Sequence, residues 1–516
     1  MWNRAQTKTR ELWQRLRSFL TAAESKTAFL TTGLCSIFAY LYYLCNLISN
    51  NDMISTTPYG IGASITSGRW GLLLLSEAVD RLWGGHYNVP AFNILIALCL
   101  VALSSALLIR VLGLKKRSLC IALSAVTATI PALGSTMFFA YSVQYYTLAI
   151  LLTVVAVYCL KQKGCLPFCT AVLCGCFSLG IYQAYLPFFA TLLLLDLIRR
   201  SLQSENTAKS LLGQACKYLL ALILSYVAYS LVLKLLLAVL GQELSGYQGI
   251  NTMGTIHLSG ILTAVKDVLL LPLRKGYYGF NSTPVICFGI GVCYLCSVGM
   301  VASGKKLSLW NYVLLGIFLL CFLVAINSTH ILAGDSVLYT RMTLGLIGIF
   351  YLPLVLVQQL SFRKEAMKKV FATVLVGVLL LCSANYAWQS NGNYMSVEYS
   401  NRKAENYFAS LFTRIRSAEG YKDELPIVYV GQNIQDSAYV DNWLNTPFTY
   451  TGRMGAKAQL NQYSRDNFIR NYLGFQWRKI TPEEEATYAD LISQMPAYPD
   501  DGSITVTPTM VLVRLE

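Results

Sequence analysis

The chain has 516 residues, of which 55% are hydrophobic and only 13% charged. Soluble globular chains carry about 25% charged residues, so this composition excludes a wholly soluble protein and points to a membrane protein with a soluble remainder. The net charge of +15 invites a nucleic-acid reading, but its distribution argues against one: up to Ala387 there are 29 Lys and Arg against 11 Asp and Glu, and beyond it 12 against 15. The excess therefore sits in the short connections between apolar runs, where it sets membrane orientation.

The N-terminal stretch carries Arg4, Lys8, Arg10, Arg15 and Arg17, and an apolar run follows from about 28 to 48. That run is too long for a signal-peptide core and lacks a small-residue cleavage site, so it reads as a retained anchor. With about 20 apolar residues needed per crossing, further spans are expected near 91–112, 118–138, 142–160, 165–180, 182–198, 212–240, 284–303, 308–326, 337–359 and 368–387. The short segment 259–273 reads as interfacial or re-entrant, and the pair around 165–198 as two spans or one broken unit.

Placing the N-terminus inside makes every inner connection basic: Lys115-Lys116-Arg117, Lys161 with Lys163, Arg199-Arg200 with Lys209, Lys305-Lys306, and Arg363-Lys364 with Lys368-Lys369. Eleven spans then put the C-terminus outside. The outer connections are rich in Tyr, Asn, Ser and Gly with isolated charges, so the working face is expected there.

The first outer connection, about Leu47 to Gly85, holds one carboxylate near the end of the first span, Asp52, flanked by Asn50 and Asn51. Pro58, Gly60 and Gly62 mark turns, and a Gly68-Arg69-Trp70-Gly71 run follows. Arg69, Ser76, Glu77 and Asp80 share a helical face opposite leucines, and Glu77 with Arg81 forms an i,i+4 pair, which predicts an interfacial helix. From Asn385 onward the long apolar runs cease. Residues 389–516 read as an extracytoplasmic α/β domain with a helix over Ser396–Glu419 and strands over Pro426–Gly431 and Met510–Arg514. The domain reading is thus 1–388 for the membrane part and 389–516 for the outer part.

Asp52 is either a solvated span-end carboxylate or a general base for a hydroxyl attacking a sugar carbon. Glu77 and Asp80 fit the polar face of the interfacial helix, and Asp335 fits either loop solvation or a base or sugar-binding role. Positive residues on the outer side run against the orientation rule, so Arg69, Arg274, Lys275 and Arg341 are candidates to grip a phosphate, the alternative being general contact with lipid head groups. Tyr277 stands beside Arg274-Lys275 and is placed to meet isoprene units or a sugar ring. His86, His257 and His330 share no ligand spacing, and the 15 cysteines, all before Ser383, show no paired CxxC pattern, so no metal site and no disulfide framework is expected. No glycine run follows a strand to open a nucleotide site, and no cofactor is expected. Asn281-Ser282-Thr283 and Asn327-Ser328-Thr329 match a glycosylation acceptor pattern that recurs by chance.

Four features together carry a resemblance: the acidic first outer loop (Asn51-Asp52), Tyr59-Gly60 through Gly68-Arg69-Trp70, Gly180-Ile181-Tyr182-Gln183-Ala184-Tyr185, and Tyr339-Thr340-Arg341. Over roughly residues 25–390 the chain resembles the GT-C class of membrane glycosyltransferases, and within it the Gtr-type O-antigen glucosyltransferases. The resemblance implies an all-α polytopic membrane protein of about 11 transmembrane helices. It also implies transfer of glucose or another hexose from a polyprenyl-phosphate carrier to a cell-envelope glycan outside the bacterial plasma membrane. The base role falls on Asp52; the substrate-binding candidates are Asn51, Arg69, Tyr182, Gln183, Arg274, Lys275, Tyr277, Asp335 and Arg341. Many GT-C enzymes carry two adjacent acids in the first outer loop; here the first is Asn51. The rival readings are a flippase or transporter of lipid-linked sugars and a polymerase or ligase of envelope glycans. The first of these calls for charges deep in the membrane, and Lys234 and Asp196, the clear candidates, lie near span ends.

Overall fold

The computed structural model describes residues 14, 17–46, 48–56, 65–84, 89–203, 205–246, 251, 258–304, 307–333, 338–362, 364–431 and 462–515. Asp335, His86, His257, the Tyr59-Gly60 pair, Arg363 and the Lys305-Lys306 connection lie outside these residues, as does the side chain of Asn51.

The chain is mostly helical. Among the described residues, six helices are long and apolar enough to cross a membrane: Ala23–Asn46, Pro90–Leu112, Val143–Leu160, Ala208–Leu240, Pro284–Ser303 and Glu365–Arg416. A seventh crossing arises if Arg117–Thr129 and Pro131–Met137 count as one span, bent by 45° where Pro131 interrupts the backbone ladder. Cys165–Ile181 and Leu309–Ala325 are shorter apolar helices, as is the segment Leu344–Gln359. Leu186–Ser201 completes the set. Every expected span thus has a helical counterpart, while length and composition alone support a multi-pass membrane protein rather than a count of eleven. Leucines exposed along Ala208–Leu240, among them Leu219, Leu231 and Leu235, suit a helix solvated by lipid.

Contacts divide the chain into two compact units. The first takes Met1–Leu41, Ala63–Gly85 and Val89–Asn391; the second takes Tyr42–Gly62, His86–Asn88 and Gly392–Glu516.

In the first unit the basic loop ends converge on one carboxylate. Asp196 is fully buried and is met by Lys161 at 3.1 Å, Arg199 at 2.8 Å, Arg200 at 2.7 Å and the Tyr218 hydroxyl at 2.6 Å. A carboxylate out of water is tolerated only when its charge and lone pairs are matched, and here four donors match it. The residue ties the ends of two helices, Val143–Leu160 and Leu186–Ser201, to Tyr218 of the helix Ala208–Leu240, so its place in the chain is explained by structure.

Expectation placed a span over 368–387 and a separate helix from Ser396. The structure joins them into one helix, Glu365–Arg416. The polar stretch between holds no proline, and its side chains are satisfied by neighbours. Thr283 donates to Asn385 at 2.8 Å, Ser282 donates to Gln389, and Asn391 donates to the carbonyl of Phe38 at 2.8 Å. The Asn281 and Asn327 side chains are buried in the same way, and their amides donate to the Leu271 and Ala264 carbonyls, so the acceptor pattern noted in the sequence is not presented for glycosylation.

The second unit is built on a four-stranded sheet. β1 (Ile427–Val430), β2 (Trp477–Lys479), β3 (Ile504–Val506) and β4 (Val511–Arg514) stand in the order β2-β1-β4-β3, with β1 parallel to both neighbours and β3 antiparallel to β4. Expectation covered β1 and β4; β2 and β3 are three residues each and show no readable alternation. One face of the sheet presents Ile427, Tyr429, Val511 and Val513 to Phe408, Leu411 and Ile415; the other presents Val428, Val430 and Leu512 to Ile480 and Met495. Burial on both faces explains the continuous apolar strands. Ile54 inserts into the first of these cores, and the short helix Asn51–Thr56 packs on the helix Gln462–Phe468.

Beside β2, Thr481 and Glu484 form a capping box with Pro482 at the first helical position. Arg478 grips Glu484 through two bonds of 2.6 and 2.7 Å. These bonds, then the Thr481 backbone N–H, pull the Glu484 carboxyl from its ordinary 4.5 down to about 2. A carboxyl pKa depressed by folding stabilises the folded state above its unfolded value and loses that contribution as pH falls toward the folded value. The melting temperature of the wild type should therefore exceed that of Glu484→Gln by a constant margin from pH 7 to about 5, and the margin should shrink below about 4.5. A margin that does not change with pH would show that the pair contributes no charge-dependent stability.

Candidate active site

The Gly68-Arg69-Trp70-Gly71 run and the Gly180 to Gln183 turn interlock. The 3-10 turn Ile65–Ser67 leads into Gly68 at φ 73°, and the helix Trp70–Trp83 starts immediately afterwards. A Cβ on Gly71 would stand 2.9 Å from the backbone carbonyl carbon of Gly180, and one on Gly180 would stand 2.6 Å from the Trp70 ring. Only glycine at both positions lets the two segments approach this closely. Trp70 also meets Phe177 edge to face at 5.5 Å. Gln183 then donates to the Ser67 carbonyl and to the Tyr229 hydroxyl, both at 3.0 Å, and Tyr229 donates to the Gly68 carbonyl at 3.1 Å.

This interlock gathers a cationic and aromatic group. Arg69 donates to the Tyr146 hydroxyl at 3.3 Å and lies 5.2 Å from the centre of the Tyr182 ring. Tyr182 packs against Tyr146 at 5.0 Å and Tyr185 at 5.2 Å, and its hydroxyl faces Arg341 as well. Arg341 is sandwiched at 4.5 Å from the Phe139 ring and 4.4 Å from the Tyr339 ring. Its Nη1 is buried with no hydrogen-bond partner among the described residues. Aromatic faces attract a guanidinium through their quadrupole, so both arginines are oriented by the rings beside them.

Beside this group opens a cavity of about 270 Å³. Arg69, Tyr182, Gln183 and Lys234 give it polar walls; Leu179, Leu233, Leu237 and Leu332 give it apolar ones. Lys234 makes no hydrogen bond or ion pair among the described residues. Two cations over leucine walls suit an amphiphile with an anionic head. Lys234 and Tyr229 were not among the sequence candidates. The signal was present, since Tyr226, Tyr229, Ser230, Leu233, Lys234 and Leu237 fall on one stripe of a helix.

The other candidates lie elsewhere. Arg274 is ion-paired with Asp267, and Lys275 is exposed. Tyr277 shares hydrogen bonds with Asn327, and burial pushes its hydroxyl pKa up. Tyr278, beside it, is held at φ 46°, and its carbonyl accepts from Thr340 at 2.6 Å. In the helix Trp70–Trp83, Arg81 reaches Glu77 at 4.0 Å as expected, whereas Ser76 lies on the buried face, where its hydroxyl satisfies the Leu73 carbonyl. Asp52 belongs to the second unit, half-buried in the helix Asn51–Thr56. Asn50 caps that helix, its side-chain oxygen accepting from the Met53 N–H at 2.8 Å, so that oxygen is engaged in the fold. All fifteen cysteines are free.

The family model for glucosyl transferase GtrII matches residues 41–347. The chain belongs to that family. No curated protein and no solved structure matches it. All the cavity-lining residues of this GtrII family member, from Ser67 to Met342, fall inside the matched segment, as do Asp52 and Arg341.

The interlock makes a stability prediction. Gly68 and Gly84 share a left-handed backbone, at φ 73° and 76°, but a Cβ at Gly68 would stand 2.2 Å from Gln183 Nε2 whereas one at Gly84 meets nothing within 4 Å. Gly84→Ala should cost only backbone strain, about 1 kcal/mol, while Gly68→Ala should also push the Gln183 amide off the Ser67 carbonyl and the Tyr229 hydroxyl, adding about 0.5–1.5 kcal/mol for each bond lost. Thermal melts of the purified proteins in detergent check this, and equal losses in the two variants would contradict the packing described.

Proposed function

We propose that this GtrII family member moves a glucosyl unit from a polyprenyl-phosphate carrier to a cell-envelope glycan on the outer face of the plasma membrane. The cavity beside Arg69 and Lys234 carries the reading. Its leucine walls suit the first isoprene units, its two cations suit the phosphate, and Tyr182 and Gln183 stand where a sugar would be held. Arg341, fixed between two rings with a buried donor to spare, supports the same anionic site. Because Asp267 already neutralises Arg274, we assign the phosphate to Arg69 and Lys234 and leave Arg274, Lys275 and Tyr277 a supporting role at the membrane surface. The basic connections favour eleven GT-C-like spans with the N-terminus inside and residues 389–516 outside.

In this reading Asp52 is the general base, with Asn51 beside it. Its carboxylate takes the proton of the acceptor hydroxyl as that oxygen bonds to the anomeric carbon. The bond from that carbon to the phosphate oxygen breaks, and its electron pair leaves on polyprenyl phosphate, stabilised by the arginine and lysine. One displacement of this kind inverts the anomeric centre. Asp335 is the alternative base. No resident cofactor is invoked.

The test is mass spectrometry of the envelope glycan from cells lacking the gene and complemented with wild type or Asp52→Asn. The side-branch hexose should be lost in the deletion, return with wild type, and stay absent or strongly reduced with Asp52→Asn, since removing a general base costs about 10²–10⁴ in rate. Full restoration by Asp52→Asn at normal membrane levels would move the base elsewhere. Shortened chains instead of a lost side branch would replace transfer with polymerisation.

A further inference from the structure

The second unit contains a cavity of its own, about 190 Å³, separate from the proposed donor site and lined both by residues of the family-matched segment, such as Asn46 and Ile54, and by residues beyond it. Its chemistry is the reverse of the first. Glu398, Asn401, Arg402 and Glu405 follow the spacing i, i+3, i+4 and i+7, so they form one stripe along the helix Glu365–Arg416, and all four line it. Asn46 and Tyr472 close it from other segments.

The walls are prearranged. Glu398 is buried, with one carboxylate oxygen accepting from Tyr42 and the other paired with Arg402. Asn401 donates to the Ser49 carbonyl at 2.9 Å. Glu405 is exposed, and no hydrogen bond or ion pair occupies it among the described residues. The Tyr472 ring, stacked on Phe468 at 5.4 Å, is nearly half exposed. Two carboxylates against one guanidinium leave a net negative wall, which disfavours a phosphate. Carboxylate and amide acceptors beside an aromatic face are the groups that hold a hydroxyl-rich, uncharged ring. Ile54 also lines the cavity, and it stands two positions from Asp52 in the same six-residue helix.

We propose that this cavity binds the glycan acceptor, so that the residue assigned as base and the hydroxyl it activates are supplied by the same unit. The inference rests on the proposed transferase reading. It adds that acceptor recognition depends on residues 398–405 and 472, outside the family-matched segment.

The experiment uses the full chain in nanodiscs with oligosaccharides released from the host cell envelope. Binding is read by microscale thermophoresis without donor, and transfer is read by separate KM values for acceptor and lipid donor. Glu405→Ala touches an exposed side chain and should keep the wild-type melting temperature, while Tyr472→Ala gives up the stacking on Phe468 and is assayed well below its own melting temperature. Each should weaken glycan binding and raise acceptor KM about tenfold, with donor KM within about twofold of wild type. Unchanged glycan binding and acceptor KM in both variants would overturn the assignment, as would a rise in donor KM alone. Glycan binding that is lost in the variants of a protein that performs no transfer would support the site and reject the transferase reading. Stabilisation by calcium or by inorganic phosphate, with no glycan binding by the wild type, would overturn it in favour of an ion site.

Discussion

The first unit's site depends on the contact between Gly71 and Gly180. A Cβ on Gly71 would stand 2.9 Å from the Gly180 backbone and one on Gly180 would stand 2.6 Å from the Trp70 ring, so the crossing forms only where both side chains are absent, and it sets Arg69 and Gln183 against one cavity. The remaining contacts follow from it. Gln183 fills the space over Gly68, Tyr229 bonds to both, and the arginine above is turned onto the Tyr182 ring. Backbone carbonyls buried at such a crossing need side-chain donors, and Gln183 and Tyr229 supply them for the Ser67 and Gly68 carbonyls.

Much of this was legible. Apolar run lengths mark helices that the structure contains, and the polar connections between them single out the two glycine-bearing motifs that interlock. They were conspicuous because glycine next to arginine and tryptophan serves no purpose in an ordinary span. Lys234 is hard to read from sequence because a lysine six residues from a helix end looks like a span-end charge; only the cavity distinguishes it from an anchor. The strands Trp477–Lys479 and Ile504–Val506 are too short to show a period, and they exist because β1 and β4 offer edges to pair with. The continuity of the helix Glu365–Arg416 was hidden because its polar midpoint is satisfied by residues 100 or more positions away, which local pattern cannot reveal.

The placement of Asp52 was the least legible feature. The residue follows the first apolar run, so the sequence groups it with the membrane helices. Ile54 instead commits the short helix to a core made by Phe408, Leu411 and the sheet, and Asn401 holds the segment before it through the Ser49 carbonyl. Hydrophobic insertion of one side chain thus reassigns a loop, and only tertiary packing carries that information. The consequence is a division of chemistry. The first unit offers cations and apolar walls, as an anionic lipid requires. The second offers carboxylates, amides and an exposed ring, as a neutral polyol requires.

The central claim is that the donor is a lipid phosphate held by the first cavity. Purified protein in liposomes, supplied with envelope glycan and either glucosyl polyprenyl phosphate or a nucleotide-activated glucose, tests it most directly. The account predicts glucose incorporation from the lipid alone, with a higher donor KM in a variant carrying both Arg69→Ala and Lys234→Ala. Incorporation from the nucleotide sugar in liposomes free of the lipid would contradict it.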